Sequence, residues 1–345
     1  MQVDQLTGTT VGRYRLRGRL QLLPYASVHQ GECLDGGGSA LLWVFGEPYS
    51  GALGFQEALQ RLAGDPRAGG LSGVAQTLEI GGQEVPTPLT FLVNEDVPGG
   101  FLVSLLQQGR APGVLATVST LAQTLDEVHR RGLVHGDVQP ATVAAGQGGA
   151  AVLVGMGIRT VVTRVNPHAA WLDATRGFRP PEGRTDPSPA ADRYGLAALT
   201  YYLLVGKAPA PEGGVEPPSR IRAQLPPAVD EVLLQALARD PAVRHRSAVE
   251  MAHELRLAVS RRSRVPAASR PAATPPPVAV GPPAHPWQPA HGGEPAASRT
   301  VALVPMEQLE IHPRVRRTGG IVLLSVLVVI AAALLVLFAT GRLYL

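Results

Sequence analysis

The stretch Leu133–Thr142, LVHGDVQPAT, decides how the rest of the chain is read. It sets a histidine, an aspartate and a glutamine at positions 135, 137 and 139. Just upstream, VLATVSTLAQTLDEVHRRG carries Leu121, Leu125 and Val128 at helical spacing, with Gly132 as a C-terminal stop. The stretch is therefore a polar loop issuing from an amphipathic helix. The question it poses is whether its side chains perform chemistry or only hold a fold.

Further out, the first third alternates short apolar runs with turn signals. YRLRGRL, ALLWVFG and TFLVNEDV have strand character, and FQEALQRLAG predicts a short helix ending at Gly64. Beyond the central loop the pattern turns helical. DRYGLAALTYYLLVG predicts a helix buried on most sides and stopped by Gly206. PPAVDEVLLQALARDP is amphipathic, and in SAVEMAHELRLAV the pair Ser247 and Glu250 predicts a capping box. A strand-rich front and a helix-rich rear imply an α+β protein of two lobes. No internal repeat is present.

The 345 residues suffice for one sizeable domain plus appendages. The net charge is +4, with most of the surplus after residue 255, and a solvated arginine-rich face accounts for it without a nucleic-acid partner. Cys33 is the only cysteine, which excludes an internal disulfide and the zinc cysteine patterns. No secretory signal is expected at the start. Residues 12–262 read as globular, and 263–313, rich in Pro and Ala, as a flexible linker. Residues 321–340 form an uncharged run of bilayer-spanning length, which predicts one transmembrane helix followed by a short extracytoplasmic tail, 341–345. Arg314, Arg316 and Arg317 precede that run and only Arg342 follows it. The positive-inside bias then predicts a single-pass protein of the cell membrane with its N-terminal domain in the cytoplasm.

The order of these segments resembles the bacterial eukaryotic-like Ser/Thr protein kinases over roughly residues 12–258. LVHGDVQPATV is similar to the catalytic loop H-R-D-L-K-P-x-N. LVGMGIRT stands where the D-F-G segment belongs, and ATRGFRPPE resembles the A-P-E segment. DRYGLAALTYYLLVGKAPA resembles the central helix that follows, and ARDPAVRHRSAVEMAHEL the closing helices. The resemblance implies a two-lobed protein-kinase-like fold, with a small β-rich lobe at about 12–97 and a larger helical lobe at about 98–262.

The resemblance also assigns roles, and the departures from it are informative. Asp137 stands at the position of the catalytic base, but alone it is expected to serve as a structural hydrogen-bonder. His135 and Asp192 match residues that hold the catalytic loop, and Glu182 with Arg244 matches a buried ion pair behind the activation loop. Glu95, Asp96 and Val97, in NEDVPGG, fall in the hinge that would hold an adenine.

The phosphate- and metal-handling positions are degenerate. The three glycine positions of the phosphate-covering loop fall on Gln21, Leu23 and Ala26, with Pro24 beside them. The phosphate-pairing lysine of the third strand is replaced by Trp43, or by Val44 in a shifted register. Lys207, the only lysine in the chain, comes far too late to rescue it. Glu57 fits the helix glutamate that would have paired with that lysine, and without a partner it reads as a solvated charge. The loop arginine is Gly136, the loop lysine Gln139, the metal-binding asparagine Thr142 and the D-F-G aspartate Gly155. Thr160, Thr163 and Thr175 remain as hydroxyls open to another kinase.

The expectation is a membrane-anchored pseudokinase that acts by binding other proteins, such as an active kinase or a membrane complex. It attaches through 321–340 and has no nucleic-acid partner. No cofactor and no magnesium site are expected, ATP being the one candidate ligand. The rivals are an atypical Ser/Thr kinase and a metal-independent nucleotide-sensing switch.

Overall fold

The computed structural model describes residues 6–83, 88–165, 173–182, 187–210 and 214–261. The expected linker at 263–313, the apolar run at 321–340 and the tail at 341–345 lie outside the described residues. Among the described residues, no helix is long and apolar enough to cross a membrane.

Six strands build the small lobe: β1 (Thr10–Val11), β2 (Tyr14–Leu22), β3 (Ser27–Cys33), β4 (Ser39–Phe45), β5 (Thr77–Gln83) and β6 (Leu89–Glu95). They form one antiparallel sheet in the order β1-β2-β3-β4-β6-β5. Helix α1 (Phe55–Ala63) lies against β5. The sheet is covered on both faces, which is why ALLWVFG does not alternate. From β4, Leu42 and Val44 enter one core with Leu16, Phe91 and Val93. Leu41, Trp43 and Phe45 enter another with Val28, Phe55 and Leu92.

The large lobe contains α2 (Leu102–Gln107), α3 (Val114–Arg130), the ribbon β7 (Val143–Ala145) and β8 (Ala151–Leu153), α4 (Ile158–Val165), α5 (Pro189–Val205), α6 (Pro218–Ile221), α7 (Pro227–Ala236) and α8 (Ala248–Arg261). Leu121, Leu125 and Val128 of α3 are fully buried in its core, against α5 and α8. Helix α5 is apolar nearly all round because it is the centre of this lobe, with Tyr194 to Tyr201 buried without a break. Ser188 caps it by accepting the Ala191 N–H at 3.1 Å.

The start of α8 departs from the expected capping box. Ser247 Oγ accepts the Glu250 N–H at 3.0 Å, but the Glu250 carboxylate reaches past Ser247 to the Arg246 N–H at 2.6 Å. Asp126 of α3 takes the next two donors, Ala248 N–H at 2.9 Å and Val249 N–H at 3.0 Å. A long-range carboxylate thus shares the capping of this helix with the local Ser247.

Strand β5 and helix α4 are among the elements that had no sequence reading. Strand β5 contains two adjacent glycines, and pairing with β6 supplies what its own propensity lacks. Helix α4, IRTVVTRV, is rich in β-branched residues yet helical, because Ile158, Val161 and Val162 share one face and bury it beside Phe55 and Leu59 of α1.

Candidate functional site

The loop Leu133–Thr142 leaves α3 and runs beneath the sheet. Asp192, at the start of α5, fixes its course by accepting the backbone N–H of His135 at 2.8 Å and of Gly136 at 2.7 Å, and by bonding His129 Nε2 at 2.9 Å. His135 is fully buried; its Nε2 donates to Val154 O at 3.2 Å while Nδ1 accepts the Asp137 N–H at 3.2 Å. This is the neutral ring, and burial holds its pKa below the usual 6.5. Gly136 has φ +82°, and a Cβ there would meet Pro187 at 3.3 Å. An arginine at this position would need a strained backbone as well as room that is already taken.

The Asp137 carboxylate is held by three donors. Tyr25 Oη donates to Oδ2 at 2.9 Å, Gln139 Nε2 to Oδ2 at 3.0 Å, and Arg159 Nη1 to Oδ1 at 3.2 Å. All four residues are buried. Burial, and then the Asp137 charge, push the Tyr25 phenol well above its usual pKa of 10, so it remains a donor. Arg179 lies within reach of the same charges and donates to Thr175 Oγ1 at 2.7 Å; burial, followed by the Arg159 charge, lowers its pKa to about 10. Thr142 is also committed, donating to Asp137 O at 2.5 Å and accepting the Gln139 N–H at 3.2 Å.

Tyr25 reaches this far because of its hairpin. Strands β2 and β3 close at Leu22↔Ser27, and Leu23 N–H bonds Ala26 O at 2.8 Å. Leu23, Tyr25 and Ala26 are all buried in the core between sheet and loop. Gln21, the first of the three glycine positions, remains in β2, paired with Val28.

Trp43 is fully buried, and its Nε1 donates to Asn94 Oδ1 at 2.9 Å. Its ring lies over Gly155, where a Cβ would stand 2.6 Å from Cζ2 and 2.7 Å from Cη2. The indole fills the space that an aspartate at 155 would need. The remaining surroundings are apolar: Val28, Leu41, Leu92, Val97, Ala144 and Val154 share the cluster.

The kinase resemblance implies ATP and magnesium, and the residues present do not fit them. The tryptophan stands where a lysine would meet phosphate, the glycine at 155 offers no ligand, Thr142 is spent within its own loop, and Asp137 is caged. Nor does Glu57 have a lysine to pair with; it is exposed on α1.

The other expected residues are placed as follows. Glu95 is exposed and accepts the Gln76 N–H at 3.1 Å, Asp96 is half-buried, and Val97 is buried. The hinge then joins β7 through Gly99 N–H to Ala145 O at 2.8 Å and Ala145 N–H to Gly100 O at 2.9 Å. Arg244 and Glu182 form a two-pronged pair, Nη1–Oε1 at 2.6 Å and Nη2–Oε2 at 2.5 Å, with the guanidinium 4.9 Å from the Tyr194 ring centre. Thr163 Oγ1 donates back to Arg159 O at 2.7 Å within α4, and Thr160 faces Gly136. Sequence reading did not single out Tyr25 and Arg159, the two donors that close the cage from outside the loop. No local signal marks either one.

No family model matches the chain. It is 27% identical over 279 residues to the serine/threonine-protein kinase Pkn1 of Myxococcus xanthus, covering 74% of this chain and 40% of that protein. It is 31% identical over 183 residues to PknL of Mycobacterium tuberculosis, covering 48% of this chain and 46% of that one. The chain thus spans less than half the length of these relatives. Among solved structures, the PknI kinase domain of Mycobacterium tuberculosis superposes with a TM-score of 0.56 at 25% identity, over 73% of this chain and 98% of that one. The apo form of PpkA-294 gives 0.58 at 17% identity, over 72% and 98%. The chain has the two-lobed protein-kinase fold and is similar in sequence to the bacterial serine/threonine-protein kinases.

Proposed function

We propose that this protein is a membrane-anchored pseudokinase, a kinase fold that binds other proteins and does not transfer phosphate at a useful rate. The observation that supports this most directly is the caged Asp137. A base must reach the hydroxyl it orients, and here both carboxylate oxygens face Tyr25, Gln139 and Arg159. The Trp43 ring over Gly155 adds to it, since transition-state charge on a phosphoryl group needs cations or donors around it. Losing one such group costs an enzyme about 2.7–4 kcal/mol, and several are absent together. Anchoring through 321–340, with the domain on the cytoplasmic side, belongs to the same reading and rests on the apolar run and its preceding arginines.

A second reading, an atypical Ser/Thr kinase, is favoured by the names of the relatives and by the retention of Asp137 itself. It requires the hairpin to lift and Tyr25 to leave. One assay separates the two. The full chain is given radiolabelled ATP with magnesium or manganese and a basic protein acceptor, with Asp137→Asn as the blank. The expected result is no transfer above the blank. Transfer by the wild type that Asp137→Asn abolishes establishes the kinase.

A further inference from the structure

Asp137 touches two elements from different lobes, which also share one apolar cluster through Leu23, Tyr25, Ile158 and Val162. Tyr25 lies 112 residues before it in the small-lobe hairpin, and Arg159 lies 22 residues after it in α4. Helix α4 and the glycine before it meet the loop at His135, Gly136 and Asp137. Gly157 N–H donates to His135 O at 3.0 Å, Thr160 Oγ1 sits 3.5 Å from where a Cβ on Gly136 would stand, and Arg159 pairs with Asp137. Gly136, with φ +82°, thus faces α4 at contact distance. On its far side α4 packs against α1. We propose that Asp137 is the shared acceptor of a lobe-closing latch, so that the hairpin carrying Tyr25 and the helix carrying Arg159 are released together or not at all.

The coupling follows from burial. The Asp137 side chain is 7% exposed and that of Arg159 8%. With the hairpin down, their attraction acts in a low-dielectric setting and the Tyr25 hydroxyl satisfies Oδ2 of the carboxylate. Lifting the hairpin admits water, weakens the ion pair and loosens α4. Freeing α4 leaves the carboxylate under-satisfied and pulls water in beneath Tyr25. In an active kinase nucleotide and metal bridge the lobes; here the Asp137 carboxylate does so beside the Trp43 ring over Gly155. A protein that engages the hairpin would thus also unfasten the segment after β8.

The test is hydrogen–deuterium exchange on the full chain in detergent, without nucleotide, so that it reads separately from phosphate transfer. Tyr25→Phe keeps the ring in its cluster and removes only the hydroxyl. It is expected to speed exchange roughly tenfold in the hairpin and also in α4. Arg159→Gln is expected to speed both segments in the same way. A change confined to the hairpin in Tyr25→Phe overturns the latch, and so does no change in either segment. Should Arg159→Gln fail to fold, the α4 peptides of Tyr25→Phe decide alone.

Discussion

At the scale of single residues, the space between the lobes is occupied rather than vacated. Trp43 and Gly155 are complementary, one very large and the other without a side chain. Gly155 also has φ +77°, a region that costs other residues about 1–2 kcal/mol. Adding a methyl group there forces the indole to shift, and overpacking costs about 1–3 kcal/mol more. Gly155→Ala is therefore expected to destabilise the protein by about 2–5 kcal/mol in urea unfolding. Pairing it with Trp43→Leu should recover part of that loss, because the clash is with the ring. His135 and Asp192 follow a different logic: they shape the loop without facing a ligand. The same is true of Arg244 and Glu182, where leaving the buried guanidinium unpaired would cost about 3 kcal/mol.

At the scale of elements, legibility tracked the range of the forces involved. Strand β2, helix α1, helix α3 and helix α5 were readable because periodicity and stops are local. Strand β5 and helix α4 were not, since each takes its form from a distant partner, β6 for one and α1 for the other. The loop residues His135, Asp137, Gln139 and Thr142 could be named from the loop's resemblance to the kinase catalytic loop. Their real bonding could not, because Tyr25 is supplied from another lobe. Strand β3 carries a further consequence. His29 is buried beside Ser27 at 2.9 Å, and burial, with the nearby Arg19 charge, lowers its pKa to about 4 from 6.5. The folded chain keeps this ring neutral, so its contribution is fully present above pH 6.5 and is lost as pH falls toward 4. The full loss is roughly 3 kcal/mol, and the lowered pKa of His135 acts with the same sign. Urea midpoints measured across that range should fall for the wild type and fall less for His29→Gln. Parallel curves for the two proteins would remove His29 as a cause.

At the scale of the whole molecule, the proposed function depends on where the kinase-like domain stands. The arginines at 314, 316 and 317 precede the apolar run, which argues for a cytoplasmic domain. A phosphatase reporter fused after Leu345 is expected to be active outside the cytoplasm. Activity only from a cytoplasm-requiring reporter at the same site reverses the orientation. On the proposed reading, a closed domain held near the membrane offers fixed surfaces to partners, and its lobes need no nucleotide to be brought together.

The fit of Trp43 over Gly155 also bears on descent. Restoring the aspartate first drives its side chain into the indole. Restoring the lysine first removes the ring from an apolar cluster and buries a lone ammonium there. On this packing each single step back is disfavoured, so the two changes are coupled. On the proposed reading, selection acting one mutation at a time meets a ratchet at this pair.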